Sequence, residues 1–304
     1  MQHVFSGNPF DRAEAERRDP NWIEQAMRRP GTRILPLWKL NVLISRNSAP
    51  ALGWLGPELL DRVSKQCPTP VLLGLRDGVA HFTVDVSGIE DPASLGLESG
   101  FKFEEARAAA ADVSAQETGI IAQAKAQIDW HVRHRFCSVC ATETVAERGG
   151  LQRHCLKCSA LHFPRTDPVV IMLVHKGDRC ILGQTRARAA AGFYSCLAGF
   201  MDQGESIEEA VRREVREEAG LELAEIRYHS SQPWPFPSSL MIGCHAEAAT
   251  ETIHFDSEEM TDVRWYSRED ALAALNGKHP SLKVPGPIAI AHHLIKAWAT
   301  RDVR

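Results

Sequence analysis

The sequence predicts an α+β protein in three parts: an N-terminal α+β domain, a short cysteine-rich segment and a C-terminal α/β/α sandwich. Its 304 residues are enough for about two domains with cores of their own. Four cysteines lie close together near the middle of the chain, and strand-like and helical patterns occur on both sides of them. These observations place the three parts at residues 1–132, 133–164 and 165–304.

Composition and charge narrow the class of protein. Hydrophobic residues make up 44% of the chain and charged residues 24%, as in ordinary globular proteins. The net charge of -4 gives no overall electrostatic footprint for nucleic acid, although it does not exclude a local basic patch. No apolar run is long enough to span a membrane. The first residues, MQHVFSGNPFDRAEAERRD, are polar and acidic, so we expect no secretory signal and a cytoplasmic location.

The N-terminal domain begins with two predicted strand regions. Residues 32–45 and 71–87 are rich in β-branched and apolar side chains, which favour strands. Asp77-Gly78 divides the second region, and this dipeptide between two such runs indicates a hairpin turn. The pattern therefore predicts at least one antiparallel strand pair, and no cluster of catalytic residue types accompanies it.

Two helices are predicted to complete this domain. Residues 103–111 are rich in alanine, the residue with the highest helix propensity. Ser114 and Glu117 have the spacing of a capping box, in which each side chain bonds a backbone N–H at the start of a helix. We expect that second helix to run toward Trp130.

The cysteine-rich segment predicts a zinc site. Cys137, Cys140, Cys155 and Cys158 form the pattern C-x2-C-x14-C-x2-C. Each C-x2-C places two thiolates in one tight turn, so two turns can supply a tetrahedral shell of four sulfur ligands. A disulfide pair and a redox-active C-x-x-C are the alternatives, and the doubled spacing in a cytosolic protein disfavours both. Because four protein ligands close the shell, one zinc ion would hold structure and would not activate water.

The C-terminal part shows strands with helices on both sides, which favours a sandwich. Pro168 precedes the first predicted strand, and Lys176-Gly177-Asp178 supplies the turn to the second. The predicted strands are 169–175, 179–184, 226–230 and 240–246, and the closing helices are 267–275 and 287–300.

A glutamate-rich stretch between these strands, GFMDQGESIEEAVRREVREEAGL, is the strongest functional signal. In a helix, Glu214, Glu217 and Glu218 lie at i, i+3 and i+4 on one side. Two carboxylates about 5 Å apart repel by roughly 3 kcal/mol at an effective dielectric constant of about 20, so a cation is expected among them. Oxygen ligands favour Mg²⁺ or Mn²⁺. A solvated acidic face is the alternative, but Glu218 falls inside the apolar arc that includes Val211, where an unpaired charge is too costly.

Written out, this stretch reads G-x5-E-x7-R-E-V-x-E-E-x-G-L and resembles the Nudix box without a mismatch. The resemblance implies a Nudix hydrolase, which cleaves nucleoside diphosphates linked to another group. It further implies that the three glutamates above are catalytic metal ligands and that the carbonyl of Ala198 completes the metal shell. The structural members of the box would be Gly199, Glu205, Gly220 and Arg213, with Arg213 orienting the glutamates.

Other segments resemble the NADH pyrophosphatase subfamily over nearly the whole chain. These are GNPFDR at the N-terminus, WHVRHRFCSVC at the first cysteine pair, and SQPWPFPSSLM after the box. The resemblance implies hydrolysis of NAD(H) to NMN(H) and AMP by a homodimer. It also implies a further metal ligand at Glu259, although the neighbouring Glu258 leaves this assignment open by one residue.

The SQPWPFPS segment is predicted to be a stiff loop because its prolines restrict φ and lack N–H donors. The rings of Trp234 and Phe236 suit stacking on adenine or nicotinamide, and Gln232 and Ser239 can add hydrogen bonds. Packing of the loop into the core is the alternative. By resemblance, the substrate pocket comprises Phe163, Gln232, Pro233, Trp234, Pro235, Phe236, Pro237, Ser238, Ser239 and Ala291.

Two alternatives remain for the function. One is removal of NAD caps from RNA, for which basic residues around the cysteines could meet backbone phosphates. These residues are Arg133, His134, Arg135, Arg148, Arg153, His154, Lys157 and Arg165. The other is a nucleotide sensor with a binding module, which the intact glutamates disfavour. The sequence leaves open the preferred dinucleotide, the number of catalytic metals and the glutamate that acts as general base.

Overall fold

The computed structural model describes residues 2–63, 67–186 and 192–302. The chain forms two compact units, which we call the N-terminal unit and the C-terminal unit. The N-terminal unit comprises Val4–Arg165 and Pro235–Ser238, and the C-terminal unit comprises Met1–His3, Thr166–Trp234 and Ser239–Arg304. The three predicted domain ranges, 1–132, 133–164 and 165–304, stay a prediction.

A mixed six-stranded sheet forms the centre of the N-terminal unit. Its order is β3-β2-β1-β5-β4, with β6 paired to β2, and β1 and β5 run parallel. The strands are β1 Arg33–Trp38, β2 Asn41–Ser45, β3 Ala51–Leu52, β4 Val71–Arg76, β5 Val79–Asp85 and β6 Phe101–Glu104. The helices are α1 Pro20–Arg28, α2 Glu58–Val63, α3 Ala106–Asp112 and α4 Ala115–Arg133. The predicted α+β class is confirmed for this unit.

In this unit the predicted hairpin and capping box are confirmed, one helix start is wrong, and α1, α2 and β3 were not predicted. Asp77 and Gly78 both have positive φ, as a tight hairpin between β4 and β5 requires, and Ser114 begins α4 with a capping box. The helix predicted from residue 103 begins later, at Ala106, because Phe103 pairs with β2 and belongs to β6. Glu105 then caps α3, since its carboxylate accepts hydrogen bonds from two backbone N–H groups.

Three short antiparallel strands surround the cysteines in the N-terminal unit: β7 Val145–Glu147, β8 Gln152–His154 and β9 Leu161–His162. Such short strands bury little apolar surface, so they depend on another source of stability. In the C-terminal unit a second six-stranded sheet has the order β13-β14-β10-β11-β15, with β12 paired to β10. Its strands are β10 Asp167–Lys176, β11 Arg179–Thr185, β12 Leu197–Phe200, β13 Leu223–Trp234, β14 Ser239–Ala248 and β15 Met260–Ser267.

Helices cover both faces of this second sheet: α5 Ile207–Ala219, α6 Arg268–Leu275 and α7 Ile290–Ala299. Alternate residues of β10 point to opposite faces. Val170 and Met172 share a buried cluster with Val215 of α5, whereas Ile171 and Leu173 share one with α6 and α7. The predicted α/β/α sandwich is confirmed.

Strand boundaries in the C-terminal unit differ from the predictions. Pro168 lies inside β10 rather than before it, and β13 continues to Trp234, so half of the predicted SQPWPFPS loop is strand. β13 is an edge strand, where the missing N–H of Pro233 is tolerated. The sequence reading also missed β12 and β15. Within the described residues, no helix combines the length and the apolar character needed to cross a bilayer.

Candidate active site

Helix α5 carries the three glutamates and is defined at both ends. Ser206 forms a capping box at its start, and Gly220 ends it in the left-handed conformation with φ of 68°. The apolar side of α5 packs on the sheet, and Glu214 and Glu218 lie on that side with only 7% and 3% exposure. Glu217 lies at the edge of this apolar side and is exposed. The buried position predicted for Glu218 is confirmed.

Arg213 lies among the carboxylates. Its guanidinium contacts Glu205 at 2.6 and 2.8 Å, Glu214 at 2.7 Å and Glu217 at 3.0 Å, and donates to the carbonyl of Phe200 at 2.8 Å. These bonds from Arg213 lower the pKa of Glu205 to about 2 and raise the pKa of Arg213 itself. One cation therefore fixes carboxylates from the loop and from two turns of the helix, which is the geometry of an orienting residue.

Strand β12 brings its backbone directly against the buried carboxylates. A Cβ on Gly199 would lie 2.0 Å from the carboxyl carbon of Glu214, so any side chain at this position would displace that carboxylate. The N–H of Ala198 donates to Glu218 Oε2 at 3.1 Å. The carbonyl of Ala198 as a metal ligand stays a prediction.

The buried carboxylates fit a hard divalent cation. Burial raises the pKa of Glu214, and Arg213 opposes this effect, while the negative charges of Glu217 and Glu259 reinforce it. A divalent cation would relieve this desolvation, and every donor in the set is an oxygen atom. Glu259 is among the charges that act on Glu214, which favours Glu259 as the additional ligand.

A cavity of about 350 Å³ lies in the C-terminal unit beside strand β12. Ile171 lines it and is the β10 partner of Ala198 in β12, so the cavity adjoins the strand that contacts the glutamates. Its walls include the predicted Gln232, Trp234 and Ala291. The residues that the sequence reading missed are Ile171, Phe193, Ser195, Met241, Pro285, Ala289 and Ile290.

Gln232 is fully buried and forms part of the wall of this cavity. Its amide donates to the carbonyl of Ile288 at 2.8 Å and accepts from the N–H of Ile290 at 2.8 Å. These two bonds hold the start of α7, where Ala291 lies, against the edge strand β13. The side chain is thus engaged with backbone, and its predicted hydrogen bond to substrate stays a prediction.

The other predicted substrate residues of the C-terminal unit, Pro233 and Ser239, are not among the residues that line this cavity, and the remaining ones belong to the N-terminal unit. Phe236 belongs to the N-terminal unit, where the cations of Arg107 and Lys125 lie 4.1 and 4.8 Å from its ring centroid. Lys125 also donates to the carbonyl of Pro235 at 2.8 Å. Phe163 is exposed near the cysteines. Pro237 and Ser238 also belong to the N-terminal unit, and the part that these residues play in a substrate site stays a prediction.

The four cysteines form a metal site. Among the described residues they are the only group of three or more such ligands whose donor atoms all lie within 4.8 Å of one another. Each C-x2-C turn closes in the same way: Ala141 N–H donates to the carbonyl of Cys137 and Ser159 N–H to that of Cys155. His162 Nε2 lies 3.3 Å from Cys137 Sγ, a supporting contact that the sequence reading missed. The donor set fits structural zinc.

Comparison with known proteins agrees with this geometry. The NUDIX domain family matches residues 164–284, and the NADH pyrophosphatase zinc ribbon domain matches residues 133–163. The NADH pyrophosphatase-like rudimentary NUDIX domain matches residues 31–130. "Nudix hydrolase 19, chloroplastic" of Arabidopsis thaliana is 32% identical over 98% of this chain and 86% of its own length. The chain belongs to the Nudix hydrolase family.

Two further relatives add context for this Nudix hydrolase. "NAD(P)H pyrophosphatase NUDT13, mitochondrial" of Homo sapiens is 38% identical over 77% of this chain and 79% of its own length. "NAD-capped RNA hydrolase NUDT12" of Macaca fascicularis is 48% identical over 60% of this chain. The match spans only 42% of that relative's length, so its activity as a whole protein is not carried over directly.

Proposed function

We propose that this Nudix hydrolase cleaves the diphosphate bond of NAD(H), giving NMN(H) and AMP. The observation that carries the proposal is the pair of buried carboxylates, Glu214 and Glu218, held by Arg213 and by the backbone of β12 beside a cavity with aromatic walls. The relative named as an NAD(P)H pyrophosphatase supports the choice of substrate. The cavity volume of about 350 Å³ suits one nucleoside half of a dinucleotide.

The catalytic metal in this proposal is Mg²⁺ or Mn²⁺. Glu214, Glu217, Glu218 and Glu259 would hold it, together with the carbonyl of Ala198. When bound, such an ion neutralises charge on the diphosphate and makes water more acidic. The protein's own contribution is positional: Arg213 fixes the carboxylates, and a glutamate of the cluster accepts the proton of the attacking water. Trp234 and Phe193 would hold the ring of the nucleoside.

The test is release of AMP from NADH with each metal. We expect Glu218→Gln to lower kcat by at least about a hundredfold without unfolding the chain, since the amide keeps the size and loses the charge. Glu208→Gln is the matched control, because Glu208 is exposed on the same helix. Near-normal turnover by a Glu217→Gln/Glu218→Gln double variant would refute the assignment. No AMP release by the unmodified protein with either metal would favour a nucleotide sensor.

A second candidate activity is removal of NAD caps from RNA. Its support is the printed name of the Macaca relative, an NAD-capped RNA hydrolase. The predicted basic cluster supports it less than the sequence suggested, because most of its members have partners. Arg133 pairs with Asp129, Arg135 with Glu143, Arg148 with Glu14 and His154 with Glu147, while Arg153 is buried against Thr144.

Salt dependence separates the two substrates. Phosphate contacts beyond the cap would make cleavage of NAD-capped RNA fall steeply with salt concentration, whereas cleavage of free NADH would change little. Because the basic side chains above are largely paired, we expect the rate of capped-RNA cleavage to fall only slightly as the salt concentration rises. Equal rates on capped RNA and NADH at every salt concentration would show that RNA beyond the cap makes no contact.

A homodimer in the cytoplasm belongs to the same proposal. The cysteine segment exposes large apolar side chains, including Phe136, Val139, Leu156 and Phe163 at 61 to 72% exposure, and such patches favour an interface. Sedimentation of the full chain tests the dimer. We expect Leu156→Asp to yield monomers with an unchanged zinc content, and a monomeric unmodified chain would contradict the proposal. Imaging of the tagged chain in cells tests the location.

A further inference from the structure

A second cavity lies in the C-terminal unit, away from the glutamates. Its volume is about 410 Å³, and its walls include His175 at the end of β10 and His245 on β14. The first cavity is lined by Ile171 and Met241, each four residues earlier on the same two strands. At about 3.3 Å per residue, the two cavities are therefore separated by roughly 13 Å along one face of the sheet.

His245 forms part of the wall of this second cavity and lacks a hydrogen bond. It is 3% exposed, and neither of its ring nitrogens has a partner among the described residues. The other buried unpartnered side-chain atoms in the described chain are single atoms of groups that also carry further polar atoms. A buried polar group without a partner costs about 1–3 kcal/mol, so a ligand group or water must meet this ring.

The surroundings keep His245 uncharged. The ring of His229 stacks on it at 5.1 Å between centroids, and the ring of His175 lies at 6.4 Å. Burial, reinforced by the neighbouring His229 and His175, lowers the pKa of His245 to about 3. A neutral imidazole offers one N–H donor and one acceptor, so His245 can donate to an oxygen of a bound molecule.

Three arginines from separate elements also line the cavity: Arg227 of β13, Arg268 of α6 and Arg301 after α7. Arg227 pairs with Glu225 on the surface, and Arg268 and Arg301 share Asp178. Arg227 and Arg301 are exposed, and surface pairs of this kind contribute little, so these two guanidinium groups can turn to a bound anion at small cost. Arg268 is only 18% exposed and also donates to the carbonyl of Trp298, so it is already held at the cavity wall. The ring of Trp298 lies 4.1 Å from the Arg268 guanidinium and holds it in place.

We propose that this second cavity is a non-catalytic binding site for a small phosphomonoester. His245 donates to a phosphate oxygen inside the cavity, and Arg227, Arg268 and Arg301 supply the forked donors that suit phosphate. The wall also contains two carboxylates, Glu225 and Glu247, and Asp178 pairs with two of the arginines, so a bound phosphate would compete with these acids for the guanidinium groups. A free phosphate ion and the phosphate of a nucleotide or sugar share this chemistry, so the test distinguishes them.

The experiment follows the imidazole signals of the full-length, zinc-loaded protein by NMR. The probes are inorganic phosphate, ribose 5-phosphate and AMP, each compared with sodium chloride at equal ionic strength. We expect the His245 and His175 signals to shift with ribose 5-phosphate and AMP and more weakly with phosphate. Adenosine, which lacks the phosphate, should leave them unchanged. This readout reports on the second cavity even where AMP also binds the first.

Two variants and a matched control complete the test. Arg227→Gln should weaken binding at least threefold, and His245→Leu at least tenfold. Arg264→Gln is the control, since Arg264 is likewise an exposed arginine paired with an acid two residues earlier, Asp262, but lies outside the cavity. Imidazole signals that do not respond to any phosphate probe would show that water meets His245 and would overturn the proposal. Equal weakening by Arg264→Gln and Arg227→Gln would do the same.

Discussion

At the scale of single residues, the candidate active site depends on carboxylates that the fold has removed from water. Glu214 and Glu218 lie on the buried side of α5, where Arg213 binds the former and the Ala198 N–H donates to the latter. Gly199 leaves the space that Glu214 occupies. The glycine, the arginine and the glutamates of the motif therefore form one packed group, which explains why the motif needs these residue types at fixed spacing.

Replacing Arg213 tests this group through stability. Arg213→Met removes the partner of a largely buried carboxylate, so we expect unfolding in urea to become easier by about 2–3 kcal/mol. Arg216→Met is the control, because Arg216 pairs with Glu222 on the exposed side of the same helix and should cost less than about 1 kcal/mol. Equal losses for the two variants would show that Arg213 is an ordinary surface residue.

At the scale of elements, one face of the sheet in the C-terminal unit is apolar at one end of its strands and polar at the other. Near the starts of β10 and β14 the face is apolar and forms the first cavity, and near their ends it carries histidines and arginines. His3 contacts β13 and α7, since its Nε2 lies 2.7 Å from Ser230 Oγ and its ring lies 4.8 Å from that of His293. The face thus changes from apolar to polar along the strands.

These buried histidines predict sensitivity to mild acid. Burial lowers the pKa of His245 to about 3 and that of His3 to about 4, below the value of 6.5 expected in the unfolded chain. The unfolded state therefore binds more protons below pH 6.5, and stability that is full above this pH falls as the pH drops toward the folded values. We expect His245→Leu to flatten the loss of stability between about pH 6.5 and 5, by up to about 1.4 kcal/mol per pH unit.

Urea unfolding at a series of pH values provides this measurement. The Arg264→Gln variant, altered at the surface, should keep the slope of the unmodified protein. An unchanged slope in His245→Leu would mean that other groups bind the protons. Carboxylates with lowered pKa, such as Glu205, affect stability only at more acidic pH, so the two effects are separable.

At the scale of the whole molecule, the cysteine site stabilises a segment with little core of its own. Strands β7, β8 and β9 hold two or three residues each, and the four thiols are brought together by two equivalent turns. Structural zinc in small domains contributes on the order of 10 kcal/mol to folding. Its removal should therefore affect this segment first.

Zinc removal can be followed by thiol reactivity. With a chelator, we expect one zinc ion to be released per chain and Cys137, Cys140, Cys155 and Cys158 to react rapidly with a thiol reagent. Cys180, Cys196 and Cys244 are buried in the C-terminal unit and should react slowly under the same conditions. If all of these cysteines reacted at the same rate in the presence of the chelator, the cysteine segment would not depend on zinc separately from the C-terminal unit.

Features set by residues close together in the chain were predicted correctly, whereas strand boundaries set by distant partners were not. The capping boxes at Ser114 and Ser206, the hairpin at Asp77-Gly78 and the side of α5 that carries Glu218 are set by residues within a few positions of one another, and these features appear in the structure. The boundaries of β6 and β13 were placed wrongly because strand pairing with a distant partner decided them.

The family, the box of glutamates and the four zinc ligands could be predicted from the chain alone, because metal ligands on one helix or two turns have fixed spacing. The tertiary structure is needed to say which distant side chains meet. It placed Phe193 and Met241 beside Trp234, engaged Gln232 with backbone, paired most of the basic residues near the cysteines and left His245 facing a second cavity. Such contacts depend on how strands stack in a sheet, and no short pattern in the chain records that order.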